Sequence, residues 1–139
     1  MVKFEKIFFR AQAHYQKKHR IRMKLYCAVI RIVYQCDIPL ATTIDKSVYF
    51  NHNAFGCVIN PNTVIKENVN IQHGVTIGVR NGVEAPIIEK DVVIGAKAII
   101  IGNIRVGEGS KIGAGAVVIH DVPDGCIVVG NPARIICQE

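Results

Sequence analysis

Aliphatic residues recur every six positions along most of the chain. The residues that lead these six-residue units are Ile44, Phe50, Ile59, Ile65, Ile71, Ile77, Ile88, Ile94, Ile100, Val106, Ile112 and Val118. Four positions after the lead, almost every unit has a small or β-branched residue, such as Val48, Ala98 or Ala116. Two longer intervals interrupt the period, one of nine residues after Phe50 and one of eleven residues after Ile77.

A period of six excludes an α-helix, whose period is 3.6, and fits short strands in which side chains alternate between the two faces. We interpret each unit as one side of a three-sided coil, with the lead residue and the small residue pointing inward and polar or glycine residues at the corners. Twelve units make about four coils, stacked about 4.8 Å apart as hydrogen-bonded parallel strands. The sequence therefore predicts a mainly β fold, a parallel β-helix, over residues 37–139.

Residues 1–36 follow a different pattern, with apolar residues at helical spacing among good helix formers. Pro39 ends this region. The pattern predicts a short N-terminal α-helical segment of one or two helices that packs against the first coil. No uninterrupted apolar stretch approaches the roughly 18 residues of a membrane span. No signal-peptide cleavage pattern follows the apolar run near residue 25, so we expect a cytoplasmic protein.

Positive charge is concentrated at the N-terminus. Residues 1–35 contain nine Lys and Arg against one acidic residue, Glu5, an excess of +8; residues 36–139 contain eight against ten, or −2, and the two sum to the net +6 of the chain. Such a distribution disfavours a nucleic-acid partner for the whole domain. The five cysteines show no CxxC spacing, and we expect most of them to be small buried residues rather than metal ligands or disulfides.

Two histidines and two alanines occupy matching positions in units that lie one coil apart. The units are led by Phe50, Ile71, Ile94 and Ile112. Their third positions are His52, His73, Ala96 and Ala114. We expect the two histidines to stack and to adjoin a smooth strip of alanines and glycines, an arrangement that suits a narrow, extended ligand.

These hexads resemble the hexapeptide-repeat acyltransferases, and the closing phrase "DVPDGCIVVGNPARII" at 121–136 strengthens the resemblance. The similarity covers residues 36–136 and implies a left-handed β-helix, a homotrimer, acetyl-CoA as co-substrate and no metal. Within the family, the length, the histidines and the ending resemble colanic acid and capsular polysaccharide O-acetyltransferases, which share "HGVTIG" (residues 73–78). Serine acetyltransferases are similar at a greater distance.

The resemblance also implies roles for individual residues. The segment "NHNAFGCVIN" resembles the one that carries the catalytic histidine, which makes His52 the general base and Asp37 in "CDIP" the carboxylate that orients it. His73 is expected to act in catalysis, to bind the acceptor or only to line the groove, and Asn51 and Arg80 are expected acceptor contacts. The predicted acetyl-CoA contacts are Gly78, Arg80, Ala96, Lys97, Lys111, Ala114 and Arg134, with the distal cations facing phosphates.

The sequence departs from serine acetyltransferases where those enzymes hold serine. Their Arg-His pair before the loop proline is replaced by Glu84 and Ala85, and Asn51 stands where they have an aspartate. We therefore expect the acceptor to be a sugar hydroxyl of a polysaccharide precursor, with serine as the alternative. Such saccharides are carried on lipids, and the basic N-terminal helix is expected either to rest on the anionic inner membrane surface or only to cap the coil.

Two interpretations from other classes remain. A noncatalytic β-helix that acts as an assembly scaffold would leave His52 and Asp37 unexplained. A zinc enzyme resembling carbonic anhydrase would need three ligands at a subunit interface, and only His52 and His73 are suitably placed.

Overall fold

The computed structural model describes residues 3–136, so the predicted role of Cys137 lies outside the described residues. Two α-helices come first, α1 (Phe4–Gln16) and α2 (Arg20–Val33). Fourteen strands follow: β1 (Thr43–Ile44), β2 (Tyr49–Phe50), β3 (Val58–Ile59), β4 (Val64–Ile65), β5 (Asn70–Ile71), β6 (Thr76–Gly78), β7 (Ile87–Ile88), β8 (Val93–Ile94), β9 (Ile99–Ile101), β10 (Arg105–Val106), β11 (Lys111–Ile112), β12 (Val117–Val118), β13 (Ile127–Val129) and β14 (Arg134–Ile136). A 3₁₀ turn at Asn51–Ala54, called the His52 turn below, follows β2.

The strands form three sheets that are the three sides of the coil. Sheet I contains β1, β4, β7 and β10; sheet II contains β2, β5, β8, β11, β13 and β14; sheet III contains β3, β6, β9 and β12. All pairings are parallel except that of β13 with β14, which closes the C-terminal end of sheet II as an antiparallel hairpin. The structure confirms the predicted parallel β-helix of about four turns.

The core consists of the positions that the six-residue period selects. The lead residues are buried from Ile44 to Val118, and so are the small residues four positions after them. Even the polar members Thr63 and Ser110 are fully buried, and the hydroxyl of Ser110 donates to the carbonyl of Gly107 at 2.7 Å. The prediction of the inward-facing residues is therefore confirmed along the whole β-helix.

Both helices pack on the first coil, as predicted. α1 buries Phe4, Phe8 and Ala11, and the ring of Phe4 lies 5.1 Å from that of Phe50. α2 contributes Ile30 to the same hydrophobic cluster. The helices and the coils share one hydrophobic core. We therefore propose that the boundary between residues 1–36 and 37–139 marks a change from helices to strands and not a break in that core.

No helix within residues 3–136 combines the length and the apolar character needed to cross a membrane. Of the cysteines in that range, Cys36 and Cys57 are buried, whereas Cys27 and Cys126 are partly buried. Burial raises the pKa of Cys36 to about 12, so its thiol is protonated at neutral pH. These side chains serve as small core residues, as expected.

Candidate functional site

The His52 turn is formed by consecutive residues in a left-handed backbone conformation. The φ angles are 52° at His52, 55° at Asn53 and 59° at Ala54. This conformation is unfavourable for residues with a Cβ and is usually left to glycine or asparagine. The turn therefore persists only because surrounding contacts hold it, and strain of this kind is common at functional sites.

Side-chain hydrogen bonds from three residues, Glu5, Asn51 and Asn53, hold the turn and its flanks. The Oδ1 atom of Asn53 accepts a bond from the backbone N–H of Phe4 at 3.1 Å, so Asn53 satisfies a free donor at the start of α1. Glu5 accepts a bond from the backbone N–H of Phe50 at 2.9 Å. The amide nitrogen of Asn51 donates to Asn70 in the next coil. The N-terminus of α1 thus clamps the turn that carries His52.

The ring of His52 meets the ring of His73 edge to face, with centroids 5.1 Å apart and an interplanar angle of 88°. His52 is exposed, and His73 is partly buried. Within residues 3–136, the Nδ1 atom of His73 is buried and has no hydrogen-bond partner. The structure therefore places one accessible imidazole against a second, half-buried one at the surface.

The two histidines are in contact, but not because they occupy equivalent positions in successive coils, as the six-residue period predicts. Phe55, not His52, occupies the corner position equivalent to His73, since the backbone N–H of Gly74 bonds to the carbonyl of Phe55 at 2.8 Å. In the following coil, Lys97 bonds in the same way to His73 at 2.9 Å. His52 belongs to the extra residues inserted before this corner, and the insertion carries its ring to His73.

Beyond His73, the same corner between sheets II and III consists of small residues apart from the exposed Lys97. The backbone N–H of Gly115 bonds to the carbonyl of Ala96 at 2.8 Å, which stacks two successive coils. Ala114 and Gly115 are exposed, and a Cβ added to Gly115 would touch nothing within 4 Å. Gly95 has a packing role instead, since a Cβ there would lie 2.5 Å from the backbone nitrogen of Ala114. The exposed corner is therefore open and smooth.

Asp37 lies near the His52 turn, but its carboxylate has another partner. One carboxylate oxygen accepts a hydrogen bond from Arg31 at 2.9 Å, and in the described part of the chain none joins it to His52. The backbone N–H of Asp37 bonds to the carbonyl of Cys57 at 2.9 Å, and that of Gly56 bonds to Gln35 at 3.1 Å. Residues 35–37 are thus joined through their backbone to residues 56–57, just after the His52 turn. The role of Asp37 in orienting His52 stays a prediction.

The other predicted contacts are divided between two corners and one face. Lys97 lies at the histidine corner, Lys111 is on the outward face of β11, and Arg134 is on β14 at the end of sheet II. Gly78 and the exposed Arg80 come at and after the end of β6, at the corner between sheets III and I. A single protomer therefore does not bring Arg80 to His52.

Two kinds of chemistry find no support at this site. Cys57 lies beneath the turn, and burial raises the pKa of its thiol, which disfavours the thiolate that a nucleophile needs. Over residues 3–136, no three His, Cys, Asp or Glu side chains gather as metal ligands. The accessible imidazole of His52 is the group suited to proton transfer.

The "Bacterial transferase hexapeptide (six repeats)" family model matches residues 85–120. The serine acetyltransferase of Bacillus subtilis (strain 168) is 40% identical over 132 residues, which are 93% of this chain and 60% of that protein. The soybean serine acetyltransferase complexed with serine superposes with a TM-score of 0.84 at 40% identity, covering 94% of this chain and 54% of that one. A serine acetyltransferase complex with CoA gives a TM-score of 0.84 at 33% identity, with coverages of 94% and 54%.

These matches correct one expectation from the sequence. They favour a likeness to serine acetyltransferases over the expected likeness to colanic acid and capsular O-acetyltransferases. A polysaccharide or capsule role finds no support in them. The chain spans only about half the length of these two solved structures.

Proposed function

We propose that this chain, which belongs to the hexapeptide-repeat acyltransferase family, transfers the acetyl group of acetyl-CoA to the hydroxyl of serine. The observation that carries the proposal is the exposed imidazole of His52, held by a strained turn against His73 at the end of an open Ala/Gly corner. Backbone strain that holds an accessible titratable group in place is common at catalytic sites, and an accessible imidazole can act as a general base. The similarity to serine acetyltransferases supports the acceptor.

In the proposed reaction, a ring nitrogen of His52 takes the proton from the acceptor hydroxyl. The oxygen attacks the thioester carbonyl carbon, the C–S bond breaks, and the imidazolium returns its proton to the departing CoA sulfur. His73, 5.1 Å away between ring centroids, is close enough to contact the acceptor or the carbonyl oxygen. Its half-buried position favours a positioning role over a second base.

Asp37 would orient His52 only if its carboxylate left Arg31. The ion pair between Arg31 and Asp37 is exposed on both sides, so exchanging it costs little. If Asp37 acts on His52, Asp37→Asn lowers kcat, whereas Arg31→Gln leaves kcat unchanged or raises it. Equal losses in the two variants would show that the ion pair has a structural role instead.

Acetyl-CoA suits the exposed corner because its pantetheine arm is narrow and extended. Ala96, Ala114 and Gly115 leave the backbone of the corner accessible, and Lys97 stands beside them. Lys111 and Arg134 supply positive charge toward the C-terminal end of sheet II, where phosphates would bind. Gly78 and Arg80 belong to the other corner, so their contact with acetyl-CoA requires a neighbouring copy, in keeping with a homotrimer.

An acceptor without a carboxylate is the second candidate. The loop from Asn81 to Glu84 is exposed and contains no cation, and the carboxylate of Glu84 accepts a bond from Asn103. A serine carboxylate would gain no ion pair from this loop. Arg80, at its start, is the one nearby cation in the chain segment 79–86.

The test measures CoA release from acetyl-CoA with serine and with a panel of hydroxyl acceptors that includes saccharides. We expect turnover with serine that His52→Ala abolishes and that the matched control His120→Ala, an exposed histidine at another corner, retains. Turnover only with an uncharged acceptor would replace serine by the second candidate. Failure to bind acetyl-CoA at all would overturn the enzymatic proposal and favour the scaffold.

A further inference from the structure

Helix α2 has apolar residues on two opposite sides. The inner side packs on the core through Ile30, which is buried, and through Met23, Tyr26 and Cys27, which are partly buried. The outer side carries Ile21, Leu25, Ala28 and Ile32, called the outer stripe below. Its large members are exposed, at 86% for Ile21, 66% for Leu25 and 75% for Ile32.

The outer stripe is continuous along the helix. Its members are spaced by four, three and four residues, which keeps all of them on one side of an α-helix. The solvent-facing side of a helix in a soluble domain is normally polar. A continuous apolar stripe opposite the packed side instead marks a surface that a membrane or another protein covers.

Positive charge surrounds the outer stripe. Arg20, Arg22 and Lys24 alternate with the first apolar residues, and α2 contains no acidic residue. The turn before it adds Lys17 and Lys18, within an N-terminal segment that carries an excess of +8. Apolar side chains projecting between cations match the headgroup region of an anionic bilayer.

We propose that the outer stripe of α2 docks this protein on the surface of an anionic lipid bilayer. The apolar side chains enter the boundary between headgroups and acyl chains, and the flanking cations contact lipid phosphates. A second copy of the chain is a poorer occupant, because it would bring two sets of cations together. The outer stripe belongs to a different element from the His52 turn, and its docking does not depend on the reaction catalysed.

Cosedimentation of the full chain with vesicles tests the proposal. Vesicles of phosphatidylcholine with one quarter phosphatidylglycerol are compared with vesicles of phosphatidylcholine alone, at low and high salt. We expect at least about tenfold stronger partitioning to the anionic vesicles, weakened by salt. Arg22→Gln is expected to lower partitioning about fivefold, the equivalent of roughly 1 kcal/mol for one cation near the surface.

The apolar contribution is tested with the double variant Leu25→Ser, Ile32→Ser, for which we expect at least about tenfold weaker partitioning. Val83→Ser is the matched control, because Val83 is 76% exposed but lies in a distant loop. Far-UV circular dichroism shows that each variant is folded. Equal binding to both vesicle types, or no loss in the double variant, would overturn the proposal, and so would self-association that the double variant abolishes without any vesicle binding.

Discussion

Asn53 connects α1 to the turn that carries His52, and replacing it with Ala removes two stabilising features at once. Its Oδ1 atom accepts a hydrogen bond from the backbone N–H of Phe4 at 3.1 Å, and its backbone has φ 55° and ψ 40°. Ala offers no acceptor, so this N–H at the start of α1 loses its side-chain partner. Ala also tolerates the left-handed region less well than Asn does.

The two losses can be assigned separate magnitudes. Replacing a side chain that caps a helix N-terminus by Ala costs about 1 kcal/mol. Forcing Ala in place of Asn into the left-handed region costs roughly another 1 kcal/mol. We therefore expect Asn53→Ala to lower the free energy of unfolding by about 2 kcal/mol. Asn53→Gly keeps only the first loss, about 1 kcal/mol, because glycine adopts a positive φ without strain.

Urea unfolding followed by far-UV circular dichroism measures these differences, since the chain has no Trp to report fluorescence. All variants are compared at one protein concentration, because association would otherwise shift the midpoint. Asn53→Asp keeps an oxygen acceptor and should remain within about 0.5 kcal/mol of the parent. If Ala and Gly destabilise equally, the backbone strain argument is wrong. If neither destabilises, the clamp does not hold the turn.

The other predictions concern packing and charge in the coils. Gly95→Ala should destabilise the protein by about 1–3 kcal/mol, because its Cβ would lie 2.5 Å from a backbone nitrogen of the next coil; Gly78→Ala, whose Cβ would find its nearest atom at 3.9 Å, is the tolerated control in the same unfolding assay. Glu89 accepts bonds from Lys66 at 2.7 Å and Arg105 at 3.0 Å, and these cations hold its pKa below the ordinary 4.5. That stabilisation is present above pH 4.5 and is lost as the pH falls through the lower folded pKa. Glu89→Gln should therefore cost about 1 kcal/mol at pH 7, and an unchanged cost at pH 3 would contradict the electrostatic explanation.

The sequence predicted the coils because a solenoid core repeats. Each coil meets only its neighbours, so one rule about inward positions applies from Ile44 to Val118, and a few exceptions do not obscure it. The same rule selected Thr63 and Ser110 as core residues despite their hydroxyls, and both are fully buried. Periodicity of this kind is visible in a single sequence.

The geometry of the candidate site was less accessible. The six-residue period does not show which of the eight residues between Phe50 and Ile59 form the corner, and it aligns His52 with a position that Phe55 occupies. The contacts of Glu5 and Asn53 join segments 45 and 49 residues apart and have no local pattern. An asparagine next to the histidine was the one available sign, since asparagine tolerates the left-handed region.

Helix α2 shows a related limit. Helical spacing predicts a helix, but when apolar residues cover both sides it does not say which side packs on the coil. In the structure the side with Ile30 packs on the core, and the side with Ile21 and Ile32 is exposed. The proposed membrane contact therefore involves one defined surface, the outer stripe, and not the charge of the whole segment.

A regular β-helix offers the same short strands on every coil, so distinctive chemistry has to arise where the repeat is broken. The first break inserts the His52 turn, and the second inserts the loop at residues 79–86 that contains Arg80 and Glu84. The regular corner with Ala96 and Ala114 is smooth and would suit acetyl-CoA, a co-substrate that can donate its acetyl group to many different acceptors. We expect acceptor choice to depend on the second break, and exchanging residues 81–84 while keeping Arg80 should alter the acceptor and leave acetyl-CoA binding intact.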